Sequence, residues 1–470
     1  MEKLNIDCLK LIFNELYEDK KSLYSCILVN REWCQLVVPI LWESYSCNSA
    51  DISESREKLS NVIISHLPSS SKQLLVDNNI ILPQTTLNKL TFNYISFCKS
   101  LKTKFVDKML YMIFKSKYRK NKYLEIMNFL EEEIYKLYIS QCKNIKKLAW
   151  ENDVSLPLTS YPGAQTLFSQ LYRLSINLDF IDSEELFEIA IICKGLNELN
   201  INNIHQDIPE LIFLIDAQRN LKSLSFCSYL DGETCEELSK ALIRKGSTLN
   251  NLSLNGSACV ISLPSLINLK GLKSIKFNYC EFYDNVKKLR QYLPLFEYSE
   301  LQFLEYSGIP CFKELALLIE KTKGNIMHVS LCIVNESVIK NTGMVIKAIA
   351  NNCPKIESLD AYFKQNDLIH IESLLINCSN LNTLRFVSID KNDNLGNELL
   401  NILIKISPKS LTNITISGNI KYSIDTLENF FESYRGRKSL CFNIYDKKYL
   451  EIIKKYANEG IVKDSDLLNP

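Results

Sequence analysis

The chain has 470 residues, long enough for more than one domain or for a repeat array. Its 55 Lys plus Arg nearly cancel its 54 Asp plus Glu, so no global field draws it to nucleic acid or an anionic membrane. The opening MEKLNIDCLK mixes charges with apolar residues, and no apolar run approaches the about 18 residues of a bilayer span, so the chain reads as soluble and unsecreted.

From Leu4 to Leu16, Leu4, Ile6, Leu9, Ile12, Phe13 and Leu16 recur at three- and four-residue steps, which predicts a helix with Asp7 as its cap. A second helix is predicted from a Ser22 cap through Leu23, Cys26, Ile27 and Val29. A third runs through Trp33, Leu36 and Val37, with Pro39 expected to break it. Helices this short enclose their apolar faces poorly, so the cluster Trp33, Val37, Val38, Ile40, Leu41 and Trp42 calls for a partner surface.

The positions Leu4, Ile12, Phe13, Leu16, Leu23, Val29, Asn30, Arg31, Trp33 and Leu41-Trp42 resemble the F-box, a three-helix module, over roughly the first 45 residues. The family usually has Pro directly after the first Leu; Asn5 stands there in this chain. The resemblance implies docking onto the Skp adaptor of a cullin-RING ubiquitin ligase. The residues it assigns to that contact are Leu4, Leu9, Ile12, Phe13, Leu16, Leu23, Val29, Trp33, Leu36, Val37, Pro39, Leu41 and Trp42.

Residues 46–140 read as a helical linker or N-terminal cap, with two helices split at Pro68 and Ser69. Between Lys99 and Lys122 nine cations stand against Asp107 alone, but Val106, Met109, Leu110, Ile113 and Phe114 supply a buried side, so the run reads as a solvated helix face.

The remainder repeats. LYRLSIN, LNELNIN, LKSLSFC, LNNLSLN, LKSIKFN, LQFLEYS, IMHVSLC, IESLDAY, LNTLRFV and LTNITIS begin at Leu171, Leu196, Leu221, Leu249, Leu272, Leu301, Ile326, Ile356, Leu381 and Leu411. IKKLAWE from Ile145 precedes them and a degenerate LCFNI from Leu440 follows. A spacing of about 23 to 30 residues and the L-x-x-L-x-L step resemble leucine-rich repeats. Helix-like stretches such as SEELFEIAIICKG alternate with these motifs, each expected to open after a polar cap with Glu in its first turn. The expected fold is therefore α/β: an F-box over residues 1–45, the linker, and a leucine-rich solenoid over residues 141–445 with parallel strands on its concave side and helices on its convex side. Residues 446–470 form a C-terminal cap or tail.

The 16 cysteines form no C-x-x-C pair and the four histidines are scattered, so no metal site is expected, and cysteine among apolar residues suits a reducing compartment, cytoplasmic or nuclear. Cys142, Cys193, Cys353 and Cys378 each stand three residues before a strand motif, resembling the cysteine-containing repeat class often fused to an F-box, and are expected to pack inside. No phosphate loop, nucleophile elbow or H-E-x-x-H occurs, so the chain is expected to be neither an enzyme nor a cofactor carrier. The expected role is substrate receptor of a Skp-cullin-F-box ligase; the rival is an interaction scaffold without a ubiquitin role. Side chains alternating along each strand place Phe303, Glu305, His328, Asp360, Tyr362 and Arg385 on the concave face as the target contact, with Phe303, Tyr362 and Arg385 as anchors.

Overall fold

The computed structural model describes residues 5–47, 53–80, 90–115, 120–228, 234–256, 260–280, 283–334, 340–390, 394–418, 420–443 and 447–463. They group into two compact units, residues 1–203 with 208–221 and residues 204–207 with 222–470.

The first unit opens with helices α1 (Ile6–Glu15), α2 (Lys20–Ile27) and α3 (Arg31–Cys47), followed by α4 (Ser53–His66) and α5 (Ser69–Asp77). Strand β1 (Ser100–Lys102), α6 (Thr103–Phe114), α7 (Leu124–Gln141), β2 (Lys147–Trp150), α8 (Ala164–Ser169), β3 (Arg173–Asn177), α9 (Ser183–Ile192), β4 (Glu198–Asn202) and α10 (Pro209–Ala217) complete it. The second unit carries β5 (Ser223–Ser228), β6 (Asn251–Gly256), β7 (Ser274–Cys280), β8 (Phe303–Gly308), β9 (His328–Ile333), β10 (Ser358–Phe363), β11 (Thr383–Ser388), β12 (Asn413–Gly418) and β13 (Cys441–Asn443). Its helices are α11 (Glu236–Arg244), α12 (Leu263–Leu266), α13 (Tyr283–Tyr292), α14 (Phe312–Glu320), α15 (Thr342–Asn352), α16 (Leu368–Asn377), α17 (Leu395–Ile406), α18 (Ile424–Glu432) and α19 (Leu450–Asn458).

Every strand motif of the sequence becomes a parallel strand, starting one or two residues after the motif's first apolar residue. In the second unit the register aligns Leu224, Leu252, Ile275, Leu304, Val329, Leu359, Leu384, Ile414 and Phe442 in one buried row, one residue per strand. Burying each such side chain contributes about 1.5–3 kcal/mol, and the row exists only when repeats stack, so the array holds together by neighbour contacts. Beyond β12 an aromatic cluster covers the end of the row: Phe430 and Phe431 pack on Phe442 at 5.2 and 5.4 Å, and Phe431 on Tyr456 at 5.1 Å. The chain then returns, Lys463 N–H donating to the Leu440 carbonyl.

Strand β1 lies within the stretch read as a helical linker, pairing with β2 so that Ser100 faces Lys147. Its motif is degenerate: Cys98 and Thr103 occupy buried places that Leu and Ile take elsewhere. Thr103 is tolerated there because its hydroxyl donates to Asn152 Oδ1 at 2.5 Å and accepts from Glu151 N–H at 3.0 Å. In the basic run, α6 buries Val106, Met109, Leu110 and Phe114, while Lys99 and Lys104 pair with Glu43 and Glu151. Lys117 and Arg119 lie outside the described residues.

Four local expectations are corrected. Asn5, not Asp7, caps α1, its side chain accepting the Asp7 N–H at 3.2 Å, and Asp19, not Ser22, caps α2, accepting the Ser22 N–H at 3.1 Å. Pro39 does not end α3, which continues to Cys47, since a lone interior proline forfeits one backbone bond that packing on both sides offsets. Polar capping is not general either: Asp182 and Glu185 form a capping box at α9, but the side chains of Cys235 and Asn394 cap nothing at α11 and α17. At α11 Asp207 substitutes, accepting the Glu237 and Leu238 N–H groups at 3.0 and 2.8 Å. No helix among the described residues is long and apolar enough to cross a membrane.

Candidate interaction surfaces

The first surface belongs to α1–α3. Leu9, Phe13, Leu23, Val37 and Leu41 form a closed core, with Leu16, Trp33 and Leu36 packed partly buried against it and Phe13 meeting Trp33 edge-to-face at 5.1 Å. The expected poor enclosure is corrected for these five core residues, whereas Ile6, Ile12 and Val29 of the same predicted stripes stay exposed. Leu9, Phe13, Leu23, Val37 and Leu41 face one another and support a surface without lying on it.

Trp42 also turns inward, packing at 4.7 Å on Tyr94 and donating its indole N–H to Cys98 Sγ at 3.3 Å. Pro39 is half-buried and Leu4 lies outside the described residues. Of the residues assigned to an adaptor contact, Ile12 and Val29 are exposed. Beside them stand apolar residues the sequence reading did not assign to it: Ile6, Leu11 and Leu28, the last two 68% and 85% exposed. Their signal in the sequence is that Leu11 and Leu28 fall outside the stripe that builds the core.

A cavity of about 320 Å³ opens beside Trp42, lined mainly by Ile27, Val38, Leu41, Leu59, Val62 and Tyr94.

The second surface is the strand face of the second unit, away from its helices. Register sets Lys276, Glu305, Ser330, Asp360 and Arg385 side by side on β7–β11. Lys276 pairs with Glu305 at 2.6 Å, Ser330 donates to Asp360 at 3.0 Å and Arg385 reaches the same carboxylate at 3.3 Å. One row over, exposed Phe303 stacks on His328 with centroids 4.6 Å apart and planes 9° from parallel. Asn side chains bridge neighbours, Asn255 to Ser225 and Asn278 to Asn255, both at 3.1 Å.

Tyr362 is corrected: it is buried, 6% exposed, because its hydroxyl accepts the Ile333 N–H at 3.0 Å and its ring approaches Phe312. It can stiffen this face but cannot anchor a target.

The four motif cysteines are buried, and burial pushes the thiols of Cys193 and Cys353 up to about 12 and those of Cys142 and Cys378 up to about 11. They stay protonated and act as small packing groups. Gln218 holds the same place, three residues before Leu221, and the sequence reading did not single it out. Its amide accepts Leu196 N–H at 3.0 Å and donates to the carbonyls of Cys193 and Leu214 at 2.6 and 2.9 Å.

The chain has the strand-helix architecture of leucine-rich repeats. No family model and no curated protein matches it. Among solved structures, the leucine-rich repeat-containing protein LegL7 from Legionella pneumophila is similar at 15% identity over 62% of this chain and 91% of its own, TM-score 0.36. The Rad7 and Elc1 complex in yeast is similar at 15% identity, 88% and 93% coverage, TM-score 0.38. The leucine-rich repeat protein LIC12759 from Leptospira interrogans is similar at 16% identity, 67% and 86% coverage, TM-score 0.29. Likenesses this distant leave function to the chain's own surfaces.

Proposed function

We propose that this chain is a non-catalytic substrate receptor: α1–α3 dock a Skp-type adaptor of a cullin ubiquitin ligase, and the strand face of the second unit holds a target protein. The observation that carries the reading is the exposed apolar set Ile6, Leu11, Ile12, Leu28 and Val29 above a core that is already closed. Leaving such residues in water gains nothing for the fold, whereas each fully buried against a partner contributes about 1.5–3 kcal/mol. The F-box resemblance supplies the partner's identity. Asn5, which stands where that family has Pro, performs a related service by fixing the first turn of α1.

On the strand face, Phe303 and Arg385 are the exposed anchors and Glu305, His328 and Asp360 their polar frame. Because its charges pair among themselves, this face suits a target read by shape and hydrogen bonds, with weak salt dependence. The receptor would raise the local concentration of target lysines near a ubiquitin-loading enzyme, and the transfer itself belongs to that assembly.

The test is co-purification of adaptor and cullin with the full chain and with Leu11→Gln/Leu28→Gln, which alters only exposed positions. The reading expects both partners with the wild type and neither with the variant. Recovery of a bound target but no adaptor or cullin with the wild-type chain would favour the plain scaffold.

A further inference from the structure

Helices α9 and α10, packed side by side in the first unit, have apolar residues on the wrong side. On α9 the core side is Leu186, Ile189 and Ala190, yet the solvent stripe reads Glu184, Phe187, Glu188, Ile191, at offsets of three, four and seven residues. Phe213 of α10 stacks on Phe187 with centroids 5.5 Å apart and planes at 27°. All three apolar side chains are nearly half exposed: Phe187 47%, Ile191 49% and Phe213 44%. A lone exposed hydrophobe is ordinary, but three adjoining on two helices form a patch.

The two helices themselves carry charge of one sign. They contain Glu184, Glu185, Glu188, Glu210 and Asp216 and no Lys or Arg; the next cations along the chain, Lys194 and Arg219, follow the helix C-termini. Helix α11 of the second unit differs, mixing Glu236, Glu237, Lys240 and Arg244 on its solvent side. An aromatic ridge edged by carboxylates complements an apolar stripe edged by cations.

We infer that the α9–α10 face is a separate docking surface for a basic amphipathic helix of a partner protein, its apolar side on Phe187, Ile191 and Phe213 and its Lys or Arg against Glu184, Glu188 and Glu210. The surface is independent of the adaptor and target contacts proposed above.

The probe is a labelled peptide of Leu and Lys only, with its leucines on one helical face, titrated by fluorescence anisotropy into the full chain; a Leu and Glu peptide of the same pattern is the control. The Lys peptide is expected to bind the wild type and to lose at least about tenfold in affinity with Phe187→Ser/Phe213→Ser and with Glu184→Lys/Glu188→Lys. The Glu peptide should prefer the charge-reversed variant. The Glu variant changes exposed positions only and so keeps the test decisive if the aromatic variant folds poorly. Equal Lys-peptide binding by wild type and charge-reversed chain, or equal binding of both peptides by the wild type, overturns the inference. Self-association of the wild type in sedimentation equilibrium that Phe187→Ser abolishes would give the face to a second copy of this chain and overturn it as well.

Discussion

The surface of α1–α3 and the strand face of the second unit solve opposite problems. On the strand face each charge has found its neighbour: Lys276 holds Glu305, and Asp360 is shared by Ser330 and Arg385. On α1–α3 the interior is complete with Leu9, Phe13, Leu23, Val37 and Leu41, and Leu11, Leu28 and Val29 are left in water. The contrast teaches that apolar character in a sequence does not locate a contact. The tryptophan-rich stretch that draws the eye, Trp33 to Trp42, is mostly half-buried with Val37 and Leu41 in the core, and the most exposed residues, Leu11 and Leu28, lie outside the stripe.

The largest effect that sharpens this contrast comes from the interior. Phe13→Ala should cost about 3–5 kcal/mol, visible as loss of α1–α3 in hydrogen exchange, because it opens a cavity under Trp33. Leu11→Gln and Leu28→Gln, by comparison, should shift stability by less than about 0.5 kcal/mol. Equal costs at Phe13 and Leu11 would break the distinction between core and surface.

Gln218→Ala should cost about 1–3 kcal/mol in chemical denaturation, since it strands the Leu196 N–H and two carbonyls in the interior. Gln218→Cys should recover part of that, because Cys193 and Cys378 occupy the matching place in other repeats and the Cys378 thiol donates to the Cys353 carbonyl.

A smaller effect follows from Glu131, whose carboxyl burial holds above its usual range, partly relieved by the Ser155 N–H at 2.9 Å. A carboxyl raised in the fold keeps its proton longer there than in the unfolded chain. Its contribution is therefore full below the unfolded value near 4.5 and is lost as pH rises through the raised value. Glu131→Gln should remove that decline and raise Tm at neutral pH; a Tm below wild type at pH 7 would contradict the assignment.

The smallest is on the strand face. Arg385→Ala removes an exposed pair and should change stability by under about 1 kcal/mol, with little dependence on salt in a thermal melt.

The repeat ladder was legible because an apolar residue must return to the same side of the sheet in each repeat, which prints LNNLSLN and LNTLRFV at a regular spacing. Strand β1 escaped because Cys98 and Thr103 fill apolar places with polar-looking letters. Caps were misread where two polar residues competed within one turn, as Asn5 with Asp7 and Asp19 with Ser22; side-chain geometry, absent from the sequence, decides between them. On the strand face the alternation rule placed Phe303, Glu305, His328, Asp360 and Arg385 together and failed at Tyr362, where the ring folds down to take a backbone N–H at the end of β9.

The central claim is that the exposed apolar residues of α1–α3, and not the strand face, receive the adaptor. Titration calorimetry of a purified Skp-type adaptor into the full chain, into Leu11→Gln/Leu28→Gln and into Phe303→Ala/Arg385→Ala tests it directly. Binding should weaken at least about thirtyfold for the first variant and stay unchanged for the second. No adaptor binding by the wild type, or equal affinity for the wild type and Leu11→Gln/Leu28→Gln, would contradict the account.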